Sequence, residues 1–201
     1  MKGSISNFLS GSSTQKPSNP GSQVLHIRPS PHDSKLLVVH PVGYPKDAPP
    51  MYSIKVSQSS KPNVVVSRGL MSPQSTVGHA IFHMFFSTTS ELSVRGQPIP
   101  LKASHFSGKF TMDVPGIGRF KWKPNQLTGT SFELYDGAGM KLAKLGSAGL
   151  LAFGEKKLEL MVPCDDFFLD LVLLSAMSVK EMSKIATEAV GEASSAVVGA
   201  A

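Results

Sequence analysis

The run of residues 167–179 constrains the fold of this chain more than any other segment. It holds thirteen residues, all apolar except Asp170, Ser175 and Ser178. A helix that is apolar on every side lies either in a membrane or inside protein. A membrane span needs about 20 residues, whereas a run of roughly 10–14 is more typical of a core helix. The length therefore predicts a buried helix that the rest of the chain must surround.

The residues on either side of this run indicate where the helix begins and ends. Asp165 or Asp166 can accept a hydrogen bond from a free backbone N–H group, as an N-cap residue does. Lys180, Glu181 and Lys184 mark the return to water. We therefore predict a central helix at about residues 166–184.

Most of the remaining chain has the pattern of short β-strands. Each candidate is bounded by Pro, Gly, Asn or Ser, which are typical of turns. The ten predicted strands are 36–42, 52–58, 63–68, 79–87, 91–94, 109–114, 118–123, 130–135, 140–145 and 156–162. Strands this closely spaced, with no helical pattern between them, favour a β-sandwich or a β-barrel. A sheet curled around the apolar helix would bury it on all sides.

A first hairpin has a register that the sequence itself fixes. With a three-residue loop at 115–117, the apolar side chains of both strands share one face, which is what sets strand register. The predicted pairs are Phe110–Trp122, Met112–Phe120, Asp113–Arg119 and Lys109–Lys123.

A second hairpin is predicted in the same way, with a three-residue loop at 136–138. This register places Glu133 across from Lys141, an opposite-charge pair worth a few tenths of a kcal/mol. Its other predicted pairs are Leu134–Met140 and Phe132–Leu142.

The two ends of the chain differ from the part between them. Residues 1–23 are rich in Ser, Gly, Asn and Pro and are predicted to be a flexible tail. Residues 188–201 are mostly small and either extend the helix or fray. The folded domain is therefore predicted at residues 24–187.

Cysteine content and the first residues bear on the cellular compartment. Cys164 is the single cysteine, so an internal disulfide is excluded, and its neighbours favour a structural residue rather than a nucleophile. The first twelve residues hold one Lys but no apolar run of signal-peptide length. We expect an intracellular, cytoplasmic protein.

The common motifs of enzymes and metal sites are missing. The chain has neither a Walker-type phosphate loop nor a Gly-x-Ser-x-Gly motif, and Gly116-Ile117-Gly118 falls in a hairpin rather than in a dinucleotide fold. His79 and His83 lack the Glu of a metalloprotease motif, so we expect ordinary histidines and no metal. The sequence indicates a non-enzymatic protein without a cofactor.

Positive charge is concentrated in the middle of the chain. Residues 51–125 carry nine basic and two acidic side chains. Lys109, Arg119, Lys121 and Lys123 project from the outer side of the first hairpin. A bound phosphate would relieve the repulsion between Lys109 and Lys123, and Arg with neighbouring Lys suits a phosphorylated headgroup. The alternative is a solvated surface on which Asp113 neutralises Arg119.

Nucleic acid fits this surface less well than a phosphorylated headgroup does. Trp122 and Phe120 point inward in the predicted register, which leaves no exposed aromatic platform on which bases could stack.

Several segments resemble the tubby C-terminal-like superfamily, which includes the LURP-one-related proteins and the phospholipid scramblases. The compact tubby-like domains of fungi are the most similar members. The matching segments are 120–123, 132–137, 142–145, 158–160 and the helix at 167–182. The order of strands ending in an apolar helix contributes more to the resemblance than any single motif.

The resemblance implies a closed antiparallel barrel of about twelve strands around a central hydrophobic C-terminal helix. It also implies phosphoinositide binding through basic residues on adjacent strands, for which Lys109, Arg119, Lys121 and Lys123 are the matching positions. Scramblase-like members carry Cys-rich, palmitoylated segments and a juxtamembrane anchor, and this chain has neither.

Three functional hypotheses follow. The first is a domain that binds anionic phospholipid headgroups at a membrane surface, as a peripheral protein without a transmembrane segment. The second is a protein-interaction or scaffold module with no lipid ligand. The third is a β-barrel enzyme whose site is assembled from scattered residues.

Overall fold

The described part of the chain folds into one closed, antiparallel β-barrel of twelve strands with a single helix that enters it. The computed structural model describes residues 22–33, 35–83, 88–104, 107–125, 131–149 and 154–198, with side chains of the helix described as far as residue 188. The strands are β1 Gln23–Pro29, β2 Leu36–Pro41, β3 Tyr52–Val56, β4 Val64–Arg68, β5 Thr76–Ile81, β6 Thr89–Val94, β7 Gln97–Ser104, β8 Lys109–Val114, β9 Gly118–Pro124, β10 Phe132–Asp136, β11 Lys141–Ser147 and β12 Lys156–Leu160. Each strand pairs with the next, and β1 pairs with β12 to close the barrel.

The helix, α1 (Asp166–Val198), begins where the sequence predicts, and its part up to Met182 lies buried in the interior of the barrel. Leu171, Val172, Leu173 and Leu174 cover every side of the helix and are all 0 % exposed. The side chain of Asp165 accepts a hydrogen bond from the backbone N–H of Phe168 at 2.7 Å, which confirms the predicted N-cap. Within the described part of the chain, no helix combines the length and the hydropathy of a membrane span.

The helix continues past the predicted end. It runs to Val198, through the segment for which both an extension and a frayed tail were predicted. The predicted flexible tail at residues 1–23 lies outside the described residues except for its last two positions. One of these, Gln23, opens β1 and pairs with Leu160.

The first hairpin has the predicted register, and the second does not. Phe110 lies opposite Trp122, Met112 opposite Phe120 and Asp113 opposite Arg119. In the second hairpin, Phe132 pairs with Leu145, Glu133 with Lys144 and Leu134 with Ala143, and a bulge follows Leu134.

A longer turn explains the shift in the second hairpin. The side chain of Asp136 accepts a hydrogen bond from the backbone N–H of Met140 at 2.8 Å, which closes a four-residue turn. Met140, predicted to face the core, is 54 % exposed, and the bulge turns both Leu142 and Ala143 inward instead. The predicted ion pair between Lys141 and Glu133 nevertheless forms, at 2.7 Å.

Two strands, β1 and β7, were missed from the sequence, and the prolines of β7 explain its omission. Pro98 and Pro100 argue against a strand with neighbours on both sides. The N–H group of Ala103 donates to the carbonyl of Thr88, on the β6 side. Successive backbone nitrogens in a strand point to opposite neighbours, so the nitrogens of Pro98 and Pro100 point toward β8. The pairing of β7 with β8 begins only at Leu101, beyond the prolines.

The predicted strand at 79–87 is also corrected, since β5 spans Thr76–Ile81. After Ile81 the backbone N–H of Phe82 donates to the side chain of Asn63 at 2.8 Å, where a strand partner would otherwise accept. Residues 84–87 of that prediction lie outside the described part.

A charged cluster joins the start of α1 to the barrel wall. Asp170, 1 % exposed, accepts hydrogen bonds from the hydroxyl of Tyr52 at 2.8 Å, from Arg68 at 3.0 Å and from Arg95 at 2.8 Å. Arg68 also contacts Asp166 at 2.6 Å, and this hydrogen bond raises the pKa of Arg68. Burial and the hydrogen bond to Asp170 raise the pKa of Tyr52. In the sequence, Asp170 is visible only as an interruption of the apolar run.

Gly78 on β5 lies close to the helix and to the neighbouring strand β6. A Cβ atom at this position would lie 2.8 Å from the carbonyl oxygen of Ser93 and 3.0 Å from a methyl group of Leu174. We expect Gly78→Ala to lower the free energy of unfolding by about 1–3 kcal/mol, as overpacking does, measured by urea denaturation.

Gly137→Ala is the matched control for this substitution. A Cβ atom at Gly137 meets nothing nearer than 3.8 Å, so this variant should be as stable as the wild type. Equal stability of the two variants would contradict close packing between β5 and α1.

Candidate functional site

Positive charge is distributed unevenly around the outside of the barrel. The outward positions of β7 to β11 carry seven cations, Lys102, Lys109, Arg119, Lys121, Lys123, Lys141 and Lys144, and two carboxylates, Asp113 and Glu133. The outward positions of the other seven strands carry three cations, Arg28, Lys55 and Lys157, and two carboxylates, Glu91 and Glu159. We call the outward side of β7 to β11 the basic face.

Alternation along the strands sets the direction of these side chains. On β9, Phe120 and Trp122 are buried against the helix, so Lys121 and Lys123 turn outward. The indole N–H of Trp122 donates to the hydroxyl of Ser175 on α1 at 3.1 Å. The same packing that buries the helix therefore presents the lysines to solvent.

Three lysines surround Thr111 on this face. Lys102 on β7 and Lys121 on β9 are its direct cross-strand neighbours, and Lys109 lies two residues away on β8. Strands are about 4.8 Å apart, so the backbones of Lys102 and Lys121 are separated by about 10 Å. Among the described residues, none of the three lysines has a carboxylate within 4.0 Å.

Arg119 is placed differently from these lysines. It donates to Asp113 at 2.7 Å across β8 and β9. This hydrogen bond lowers the pKa of Asp113 and raises the pKa of Arg119, and Lys102 lowers the pKa of Asp113 further. Arg119 therefore has a carboxylate partner, Asp113, as the hypothesis of a solvated surface predicts. The lysines around Thr111 have no such partner among the described residues.

Lys123 and Lys141 gather around Tyr135 on β10. The ammonium of Lys123 lies 4.2 Å from the centre of the Tyr135 ring, a cation–π distance. Lys141 binds Glu133, which lowers the pKa of Glu133 and raises that of Lys141. The hydroxyl of Tyr135 also donates to Glu133, at 2.6 Å, which raises the pKa of Tyr135.

The four basic residues singled out from the sequence thus lie on one face but in different environments. Lys109 and Lys121 have no carboxylate partner among the residues that the structure describes, Lys123 covers an aromatic ring and Arg119 is paired with Asp113. Sequence reasoning missed Lys102, because the prolines of β7 concealed the strand that carries it. The alternation of apolar Ile99 and Leu101 with Pro98, Pro100 and Lys102 was the signal that could have found it.

The other candidates from the sequence occupy separate places. His83 lies 3.1 Å from Glu91, and no metal-binding group of three ligand side chains occurs among the described residues. Cys164 is half-buried and donates to the carbonyl of Val162, and burial raises the pKa of its thiol.

Comparisons with protein-family models, with curated proteins and with solved structures gave no match for this chain.

Proposed function

We propose that this protein is a non-enzymatic binding domain that recognises anionic phospholipid headgroups at a membrane surface through its basic face. The observation that carries the proposal is the group of three lysines around Thr111. Among the described residues, these three lysines have no carboxylate partner, and they project from adjacent strands whose backbones span about 10 Å. Several ammonium groups beside a hydroxyl suit a phosphorylated ring better than a single phosphate.

The fold agrees with the proposed membership of the tubby C-terminal-like superfamily. The resemblance implied a closed barrel around a hydrophobic helix, and the chain has that architecture. Membership and phosphoinositide recognition are both part of the proposal, and both would place the protein at a cytoplasmic membrane surface.

Reversing the charge of two lysines on the basic face tests the proposal. We expect Lys102→Glu/Lys121→Glu to lower affinity for phosphatidylcholine vesicles containing phosphatidylinositol 4,5-bisphosphate. Each lysine near an anionic surface contributes about 1 kcal/mol, so losing two lowers affinity about 30-fold, and charge reversal lowers it further. Co-sedimentation measures the effect, and binding of the wild type should weaken as ionic strength rises.

The matched control is Lys35→Glu/Lys55→Glu, which changes net charge equally on exposed residues away from the basic face. This control should bind like the wild type. Equal sedimentation of all three proteins, with and without the phosphoinositide, would overturn the proposal.

A protein-interaction module is the second candidate, favoured by a groove on the outer side of β5, β6 and β7. The groove is mainly apolar and is lined by His79, Glu91, Leu92, Ser93, Pro98, Ile99 and Pro100. None of the three lysines lines the groove, so substitutions at its β5 and β6 residues should leave vesicle binding unchanged if the lipid proposal holds.

A further inference from the structure

The connections at one end of the barrel carry exposed apolar side chains. Even-numbered strands end, and α1 begins, at this end, which we call the helix-start end. The described residues include five large hydrophobic side chains classed as exposed: Val42, Tyr44, Leu70, Ile117 and Met140. All five lie in connections that join strands at the helix-start end.

Two of these residues stand directly beside the basic face. Ile117, 53 % exposed, lies in the turn between β8 and β9, and Met140, 54 % exposed, lies in the turn between β10 and β11. Because β9 pairs with β10, the two turns are neighbours on the rim. Exposed turns usually carry polar residues, so an apolar side chain exposed on each of two neighbouring turns marks a candidate contact surface.

The distance between these apolar side chains and the cations matches the layering of a membrane surface. Lys121 is three residues beyond Gly118, the first residue of β9, or about 10 Å at 3.3 Å per residue. An apolar group at Ile117 that enters the boundary between headgroups and acyl chains by roughly 5–10 Å would bring Lys121 to the level of the phosphates.

The carboxylates near the two turns are held by other groups of the barrel. Asp113 is paired with Arg119, and Glu133 with Lys141. Asp136 lies at the rim, where its side chain accepts the backbone N–H of Met140 and holds the turn closed. The basic face behind the turns keeps seven cations against two carboxylates, which complements an anionic bilayer.

We propose that Ile117 and Met140 insert into the bilayer while the basic face binds the headgroups, so that the protein docks with these two hairpins toward the membrane. This inference rests on the proposed function and adds a second contact, with the acyl region rather than with the headgroup. A protein partner that covers the same turns would need no bilayer. Quenching by brominated acyl chains separates insertion into a bilayer from contact with a protein.

The test is the variant Ile117→Ser/Met140→Ser. Its affinity for phosphatidylcholine vesicles containing phosphatidylinositol 4,5-bisphosphate should fall about tenfold or more, because two apolar side chains lose their burial. Its affinity for soluble inositol 1,4,5-trisphosphate, measured by titration calorimetry, should equal that of the wild type. Both positions are more than half exposed in turns, so the fold should be retained, as far-UV circular dichroism checks.

The control is Val42→Ser/Leu70→Ser, which removes exposed apolar side chains from the same end of the barrel but away from the basic face. It should bind vesicles like the wild type. A second reporter is Met140→Trp, whose added fluorescence should shift to the blue on vesicles and be quenched by brominated acyl chains.

The outcomes separate this inference from the proposed function. If the serine variant binds vesicles as tightly as the wild type, or if Met140→Trp is not quenched, insertion is wrong and headgroup binding still stands. If the wild type binds neither vesicles nor the trisphosphate, the proposed function and the inference both fail.

Discussion

Leu173→Asp is expected to unfold the domain. Leu173 is 0 % exposed on a helix whose neighbouring residues are also fully buried, so a carboxylate there would find neither water nor a cation. Losing a buried leucine costs about 2–3 kcal/mol, and burying an unpaired charge adds more. The total of at least about 4 kcal/mol is comparable to the whole stability of a typical domain, about 5–15 kcal/mol. Far-UV circular dichroism with thermal and urea denaturation measures the loss.

Ala186→Asp is the control for this substitution on the same helix. Ala186 is exposed, so the change should cost no more than the difference in helix propensity, about 0.7 kcal/mol. A Leu173→Asp protein that stays folded and merely loses membrane association would show that the apolar side of α1 serves a membrane rather than the barrel core.

The architecture could be predicted because three independent patterns agree on it. The apolar run is too short to span a membrane, the strands are short and closely spaced, and the first hairpin has a single register that brings Phe110 opposite Trp122. A helix that is apolar all round requires a wall on every side, and a closed sheet supplies one. Local sequence patterns were therefore enough to predict the structure wherever a pattern was compatible with only one arrangement.

The errors fall where a local pattern had more than one solution. In the second hairpin, a four-residue turn closed by the side chain of Asp136 is an alternative to the predicted three-residue loop. The turn requires a bulge after Leu134, and the alternation of apolar and polar residues does not reveal this bulge. In β7, Pro98 and Pro100 lie in the half of the strand that has no partner on the β8 side, as is usual for proline in edge strands. Pairing with β8 begins at Leu101, and no local pattern in the sequence shows this change.

The candidate site was predicted in part for the same reason. Lys109 and Lys121 were placed correctly on one face, because the register of the first hairpin is fixed. Lys102 belongs to a strand that was not predicted, so its position beside Thr111 depends on the pairing of β7 with β8. Contacts such as that of Lys123 with Tyr135 join neighbouring hairpins and cannot be derived from either one alone.

The missed cluster around Asp170 provides the second prediction with a large effect. We expect Asp170→Ala to lower the free energy of unfolding by about 3 kcal/mol, because removing one partner of a buried ion pair leaves the other charges uncompensated. Tyr52, 2 % exposed, would lose the acceptor of its hydroxyl, whereas Arg68 and Arg95 still reach water in part, which keeps the loss below the upper end of about 5 kcal/mol.

Asp166→Ala is the matched control for Asp170→Ala, since it removes a carboxylate that also contacts Arg68 but is 71 % exposed. Exposed ion pairs contribute about 0–1 kcal/mol, so urea denaturation should separate the two variants by about 2 kcal/mol or more. Tyr52→Phe should fall between them, at about 1 kcal/mol, because it removes one hydrogen bond and keeps the ring packed. Equal stability of the two alanine variants would mean that the buried cluster does not hold the start of α1 to the barrel wall. The apolar contacts of the helix would then have to anchor it alone.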